Sequence, residues 1–267
     1  MGRRTRGALG AVATAALAVL GTGCAADTFA MPRQDAATTG ETPAPAGEPD
    51  PAEPAGDPAA TGLLEDSVDA LRNASSMHLV LETPDSGSGG ISLLDVRSDD
   101  ETNCAGTMTN TAQGTVEVVR TDGDTWMRPD REAWEYLVDI SGGVYEDETI
   151  DLLSGRYLYL PPDDPAASTA EVCDFEYVLD LLSEMTRGPL ELGGTTTYQG
   201  VPARTVHPVG ALGSVLVAAE GEPYLLQVRA PGTEASFSEF GAPVDVVPPP
   251  DELVLDIADF RSGDIAA

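Results

Sequence analysis

The stretch that decides the fold is residues 104–128, CAGTMTNTAQGTVEVVRTDGDTWMR. Its segments 104–111 and 115–120 have strand-like composition and are separated by Gln113-Gly114, which is typical of a hairpin turn. Asp122-Gly123 is a type I′ turn signal, and it leads directly into a further strand at 125–128. The pattern therefore predicts antiparallel strands joined by short hairpins.

Further periodic segments lie on both sides of this stretch. Two of them, at 63–74 and at about 169–186, have the 3.6-residue apolar period of amphipathic helices. The others alternate as strands do, and turn residues separate them. They are 77–82, 91–98, 195–198, 201–206, 214–219, 223–230 and 235–240. The sum predicts an α+β fold with about ten strands, two or three helices and a strongly curved antiparallel sheet.

Composition excludes several classes of function. The chain has 267 residues, 14 Lys plus Arg, 45 Asp plus Glu and a formal net charge of −31. Nucleic acid is not expected as a partner, because binding phosphates requires clustered cations. Apart from two His, every basic residue is Arg. A chain without Lys cannot form a Walker A loop, a pyridoxal phosphate Schiff base or a Ser-x-x-Lys acylation site.

The first 23 residues have the pattern of a bacterial signal peptide. Three Arg among the first six residues precede a short apolar run at 8–20. The sequence LGTGC at 20–24 resembles a lipobox, which predicts cleavage before Cys24 and lipidation of its thiol. Two or more acyl chains hold a protein at a membrane stably, since each buried methylene contributes about 0.8 kcal/mol. An ordinary secreted protein is the alternative.

A tether is expected between this anchor and the folded domain. Residues 25–60 contain seven Pro and seven acids, with almost no branched apolar side chains to offset the entropy of ordering. We therefore expect a disordered spacer at 24–61, one domain at 62–262 and a short disordered tail at 263–267. Abundant Ala, Gly and Pro together with all-Arg usage indicate a GC-rich, actinobacterial source.

The three Cys fit an extracytoplasmic location. If Cys24 carries lipid, Cys104 and Cys173 remain as an even pair in an oxidising compartment, which predicts one disulfide. Two buried free thiols are the alternative, because sequence alone does not show whether their Cα atoms lie within bonding range.

Four stretches of the domain, 63–78, 122–134, 215–240 and 242–251, match a known family in order and spacing. They resemble the LppX/LprAFG family of actinobacterial lipoproteins, whose fold is similar to that of the LolA and LolB lipoprotein carriers. The resemblance covers about residues 62–262. It implies a half-open β-barrel whose concave face is covered by helices, with an apolar space between them that holds acyl chains.

The composition of the domain also favours an internal cavity. A curved sheet has more apolar concave surface than two helices cover, and aromatics make up only 5% of this chain. A well-packed core is the alternative. Alternation along the strands and the second helix predicts the lining residues, which are Met77, Leu79, Leu81, Val116, Val118, Trp126, Phe175, Leu179, Leu182, Tyr224, Leu226 and Val228.

We therefore expect a protein anchored on the extracytoplasmic face of the plasma membrane that binds a lipid or lipoglycan and transfers it across the envelope. A membrane transporter or another envelope protein is its expected protein partner. The alternative is a sensor or scaffold of the same fold that binds a protein. Neither catalysis, a metal nor a cofactor is expected, because His78 and His207 have no second His or Cys at ligand spacing and no strand-turn-helix Gly-x-Ser-x-Gly elbow occurs.

Overall fold

The computed structural model describes residues 56–84, 90–140, 147–174, 178–179 and 188–262. The predicted signal peptide, the Cys24 anchor, nearly all of the tether and the tail at 263–267 lie outside these residues. Phe175 and Leu182 also lie outside them. Contacts group Asp50–Ala267 as one compact unit, which holds every element described below.

One sheet contains the twelve strands of the described residues, where the sequence predicts about ten. Its order is β12-β6-β5-β4-β3-β2-β1-β11-β10-β9-β8-β7, so the sheet is open, with β12 and β7 at its edges. All neighbours are antiparallel except β6 and β12. The strands are β1 Ser76–Glu82, β2 Leu93–Asp99, β3 Cys104–Asn110, β4 Gly114–Thr121, β5 Asp124–Pro129, β6 Tyr157–Leu160, β7 Leu190–Tyr198, β8 Val201–Pro208, β9 Ser214–Ala218, β10 Leu225–Ala230, β11 Thr233–Ser238 and β12 Val254–Asp256.

The predicted turn between β4 and β5 is confirmed. Asp122 and Gly123 have φ values of 55° and 86°, the left-handed backbone that a type I′ turn requires at both central positions. Thr121 therefore pairs with Asp124, and this two-residue turn sets the register of the whole hairpin.

Four α-helices and a long 3₁₀ helix accompany the sheet in the described residues. The first helix begins earlier than the predicted 63–74, because Asp57 accepts a hydrogen bond from the Ala59 N–H at 2.9 Å and Pro58 takes the first helical position. The predicted helix 169–186 is described only in part, as the 3₁₀ helix and two helical residues at 178–179. The elements are α1 Pro58–Arg72, α2 Arg131–Ile140, α3 Asp147–Leu153, the 3₁₀ helix Pro165–Cys173 and α4 Ile257–Ser262, with a short 3₁₀ turn at Asp251–Leu253.

The helices pack on one face of the sheet, here called the helix-covered face. α1 contacts β7, β9 and β10, whereas α2 contacts β4 and β5. Alternate strand residues such as Leu79, Val96 and Val118 point to this face and form one buried cluster with the helices. The other side of the sheet is called the opposite face. None of the helices in the described ranges combines the length and apolarity needed to cross a bilayer.

Gly106 on β3 allows close packing at the centre of this sheet. It is the register partner of Val96 on β2 and of Val118 on β4. A Cβ at this position would lie 2.6 Å from the Val96 Cα and 2.7 Å from its Cγ1, and it would also collide with the Asp95 carbonyl oxygen. The backbone here cannot accept a larger residue without shifting.

We expect Gly106→Ala to lower the free energy of unfolding by about 1–3 kcal/mol, the usual cost of overpacking. Gly62→Ala is the matched control, because nothing lies within 4 Å of an added Cβ in α1. That control should raise stability by up to about 1 kcal/mol through helix propensity. Denaturant unfolding of both variants checks this, and equal stabilities would contradict it.

Candidate functional site

An apolar cavity of about 330 Å³ lies between the helix-covered face of β3–β6 and the helices above it. This volume is at the lower end of the roughly 300–1,000 Å³ typical of ligand pockets. The floor is made by strand residues and the roof by helix residues. Floor residues are Met108, Val116, Met127, Leu158 and Leu160; roof residues are Ala133, Tyr136, Leu137, Ala166, Thr169 and Ile257.

Neutral polar groups accompany this apolar lining. Asn110 is the last residue of β3, Gln113 lies in the turn before β4, and Thr169 comes from the 3₁₀ helix. Thr109 also borders the cavity, but it alternates with Met108 along β3, so its hydroxyl lies on the opposite face, hydrogen-bonded to the Thr115 hydroxyl at 3.1 Å. Amide and hydroxyl groups both donate and accept hydrogen bonds, so they can hold ester or hydroxyl groups. No charged side chain lines the cavity within the described part of the chain.

A disulfide fixes part of the roof to the sheet. Cys104 on β3 and Cys173 at the end of the 3₁₀ helix are bonded, with their Cα atoms 5.7 Å apart. Beside this bond, Arg120 of β4 donates to Asp174 at 2.8 Å. The 3₁₀ helix also supplies Ala166 and Thr169 to the cavity, so the disulfide bears directly on how the cavity is covered.

Asp164 joins two covering elements. Its Oδ1 accepts from the Ala166 N–H at 2.8 Å and caps the 3₁₀ helix, and its carboxylate also pairs with Arg261 of α4. The hydrogen bond from Arg261 lowers the pKa of Asp164, and the Ala166 N–H acts in the same direction. The carboxylate is therefore ionised at neutral pH and keeps the 3₁₀ helix beside α4.

The predicted lining residues fall into three groups. Val116 lines the cavity. A second group belongs to the same buried cluster without bordering the cavity; it comprises Met77, Leu79, Leu81, Val118, Leu179 and Val228. A third group lies on the opposite face of the sheet; it comprises Trp126, Tyr224 and Leu226.

The position predicted for Trp126 was wrong. Because the β4–β5 turn has two residues, Val118 pairs with Met127, and Trp126 pairs with Val119 on the opposite face. There its ring meets that of Tyr159 at 5.9 Å between centroids. The floor position belongs to Met127 instead.

The positions predicted for Tyr224 and Leu226 were also wrong, and a β-bulge is the reason. Leu225 pairs with Val217 and Gln227 with Leu216, so Leu226 is an extra residue that shifts the alternation. Leu226 packs in a small cluster on the opposite face with Tyr224, whose ring stacks on Phe240 at 4.1 Å.

Most of the cavity residues were not predicted from the sequence, because α2 and β6 were not predicted. A signal for α2 exists, since Trp134, Leu137 and Val138 are spaced at i, i+3 and i+4 and Asp130 caps the helix by accepting from the Ala133 N–H at 2.8 Å. Tyr157-Leu158-Tyr159-Leu160 likewise reads as a short strand.

His78 lies in a polar network on the opposite face, outside the cavity. Its Nε2 is 2.8 Å from Asp95 Oδ1, and its Nδ1 is 3.4 Å from the Ser238 hydroxyl. Ser238 and Arg97 are the direct register partners of His78, and Arg97 donates to Glu239 at 2.7 Å. This is cross-strand polar pairing. Within the described ranges, no group of three His, Cys, Asp or Glu is placed to hold a metal.

No protein-family model matches the chain, and no curated protein matches it in sequence. Solved structures are similar to it in fold. LprF from Mycobacterium bovis matches with a TM-score of 0.51 at 13% identity, over 73% of this chain and 99% of LprF. The Mycobacterium tuberculosis lipoprotein LppX matches with a TM-score of 0.43 at 16% identity, over 72% of this chain and all of LppX. MucB of Pseudomonas aeruginosa, in its complex with MucA, has a TM-score of 0.29 at 16% identity, over 73% of this chain and 60% of MucB.

At 13% identity, the likeness to LprF concerns the fold. It extends over nearly the whole of LprF, and it agrees with the resemblance that the sequence carries. The chain therefore has an LppX/LprAFG-type fold.

Proposed function

We propose that this chain is a lipid-anchored extracytoplasmic protein that binds the acyl part of a lipid or lipoglycan in the cavity and transfers it across the cell envelope. The observation that carries the proposal is the apolar cavity of about 330 Å³ on the helix-covered face. The mechanism is reversible burial, without covalent chemistry.

The lining explains why an acyl chain is the favoured occupant. Met108, Met127 and Leu158 offer apolar surface, and each buried methylene of a ligand contributes about 0.8 kcal/mol. The two Met side chains are flexible and adapt to chains of different shape. The neutral groups among the lining residues can bond the ester or hydroxyl groups next to the chain.

The sequence before the domain supplies the proposed location. A signal peptide at 1–23 would direct export, and lipid on Cys24 would hold the mature chain on the outer side of the plasma membrane. The Pro- and acid-rich tether, predicted at 24–61 but ending before α1 begins at Pro58, would keep the domain away from the bilayer surface. From there the domain could receive a lipid from a membrane transporter and deliver it outward.

An envelope scaffold that binds a protein partner is the alternative for this fold. It predicts a domain that is purified without lipid and that captures an envelope protein. Both functions can be separated in one preparation.

The test uses residues 50–267, exported and purified from an actinobacterial host without detergent. Native mass spectrometry should show a mass above that of the polypeptide, and organic extraction should return the polypeptide mass together with a defined lipid. A domain that carries no lipid, while a specific envelope protein co-purifies with it, would establish the alternative instead.

A further inference from the structure

A second cleft opens at the other end of the sheet, among β7, β8 and the start of α1. Its volume is about 510 Å³, and none of the residues that line it lines the acyl cavity. Its walls combine apolar and polar side chains. The principal ones are Ala59, Leu63, Leu192, Thr195, Arg204 and Pro223.

Arg204 is the notable group in this cleft. Among the nine Arg in the described ranges, it alone makes neither an ion pair nor a hydrogen bond. Acids outnumber cations 45 to 14 in this chain, so carboxylate partners are plentiful. Arg204 is exposed at the rim of this cleft, and within the described ranges its guanidinium has no partner.

The neighbours of Arg204 favour an anion that carries an apolar group. Thr195 is its register partner on β7 and places a hydroxyl on the same side. Leu63 and Leu192 add apolar surface to the same cleft. Because Arg204 pairs with Val217 on β9, its side chain lies on the helix-covered face.

Nearby acids work against a small free anion. Glu220 and Glu222 are exposed in the turn between β9 and β10, next to the lining residues Gly221 and Pro223. Asp57 lies at the start of α1, where it is engaged as the helix cap. Repulsion from these acids weakens the binding of inorganic phosphate. For an amphiphile, burial of its alkyl group against the apolar wall can offset this repulsion.

We propose that this cleft binds the phosphate group of an alkyl phosphate amphiphile, with Arg204 as the anion-binding residue and Thr195 as a second donor. A guanidinium can donate two parallel hydrogen bonds to phosphate oxygens, a geometry suited to this recognition. The apolar wall takes the first methylenes of the alkyl chain. This site is separate from the acyl cavity and does not depend on the function proposed for it.

Titration of ¹⁵N-labelled residues 50–267 with octyl phosphate tests the site. Backbone amide shifts should be confined to 190–196, 203–205 and 218–223. Octyl glucoside should leave these amides unshifted, and inorganic phosphate should bind at least about tenfold more weakly than octyl phosphate. Tight binding of inorganic phosphate would make this a free-phosphate site and overturn the proposal.

Three variants test which residues bind octyl phosphate. Arg204→Gln should weaken octyl phosphate binding about tenfold or more, the size expected for a lost charged hydrogen bond. Arg229→Gln is the control, since Arg229 is paired with Glu234 on the opposite face, and it should have no effect. Val116→Trp in the acyl cavity should also leave this binding unchanged. Equal binding by Arg204→Gln and the native chain, or shifts centred on Met108 and Met127, would overturn the proposal.

Discussion

Replacement of Val116 by Trp is expected to remove most of the bound lipid from the purified domain. Val116 is half-buried and lines the floor of the cavity, where it is the register partner of Met108 on the neighbouring strand. An indole ring there would occupy volume that an acyl chain needs. A loss of only about 1.4 kcal/mol in affinity lowers binding tenfold, and we expect at least that loss. Lipid per protein after organic extraction, measured by mass spectrometry, gives the result.

Val80→Trp is the matched control for this variant. Val80 is also a half-buried strand residue, but it lies on the opposite face, where it pairs with Asp95 and Ser236. It should therefore retain native lipid content. Leu137→Trp fills the same cavity from α2 and repeats the test if Val116→Trp folds poorly. Native lipid content in both cavity variants would contradict the proposed site.

Removal of the disulfide is expected to cost about 4 kcal/mol of unfolding free energy at 25 °C. Cys104 and Cys173 are separated by 69 positions, and closing a loop of that length removes about this much entropy from the unfolded chain in the chain-entropy model. The variant is Cys104→Ala with Cys173→Ala, and denaturant unfolding is the measurement. A loss below about 1 kcal/mol would show that the bond constrains the chain little.

Lipid retention should fall along with stability in that double variant. The 3₁₀ helix supplies Ala166 and Thr169 to the cavity and is cross-linked to β3 through this bond. Lipid should therefore leave the variant faster than it leaves the native protein. Reduction of the native protein with a phosphine should reproduce the effect without any substitution.

The sequence predicts the fold well where turn chemistry is local. Asp122-Gly123 determines the β4–β5 hairpin, because a type I′ turn needs left-handed backbone at both positions. The same turn fixes the register that places Met127 on the helix-covered face and Trp126 on the opposite face. Counting outward from a two-residue turn would have found the floor residue, whereas apolarity alone favoured the Trp.

Other parts of the site could not be derived from pattern. The bulge at Leu226 inserts one residue into β10, and alternation has no means of marking where that occurs. The strand β6 has only four residues and pairs with β5 and with the distant β12. Long-range pairings of short segments depend on the assembled sheet. The elements that cover Met127 and Leu158 could therefore be identified only from the structure.

The proposed function requires an acyl chain to lie in the cavity between β3–β6 and the helices. Intermolecular nuclear Overhauser effects between protein methyl groups and a bound ¹³C-labelled fatty acyl chain test it most directly. We expect contacts from the acyl chain to the methyl groups of Met108, Met127, Val116 and Leu158. Contacts confined to Leu216 and Leu226 on the opposite face would contradict it.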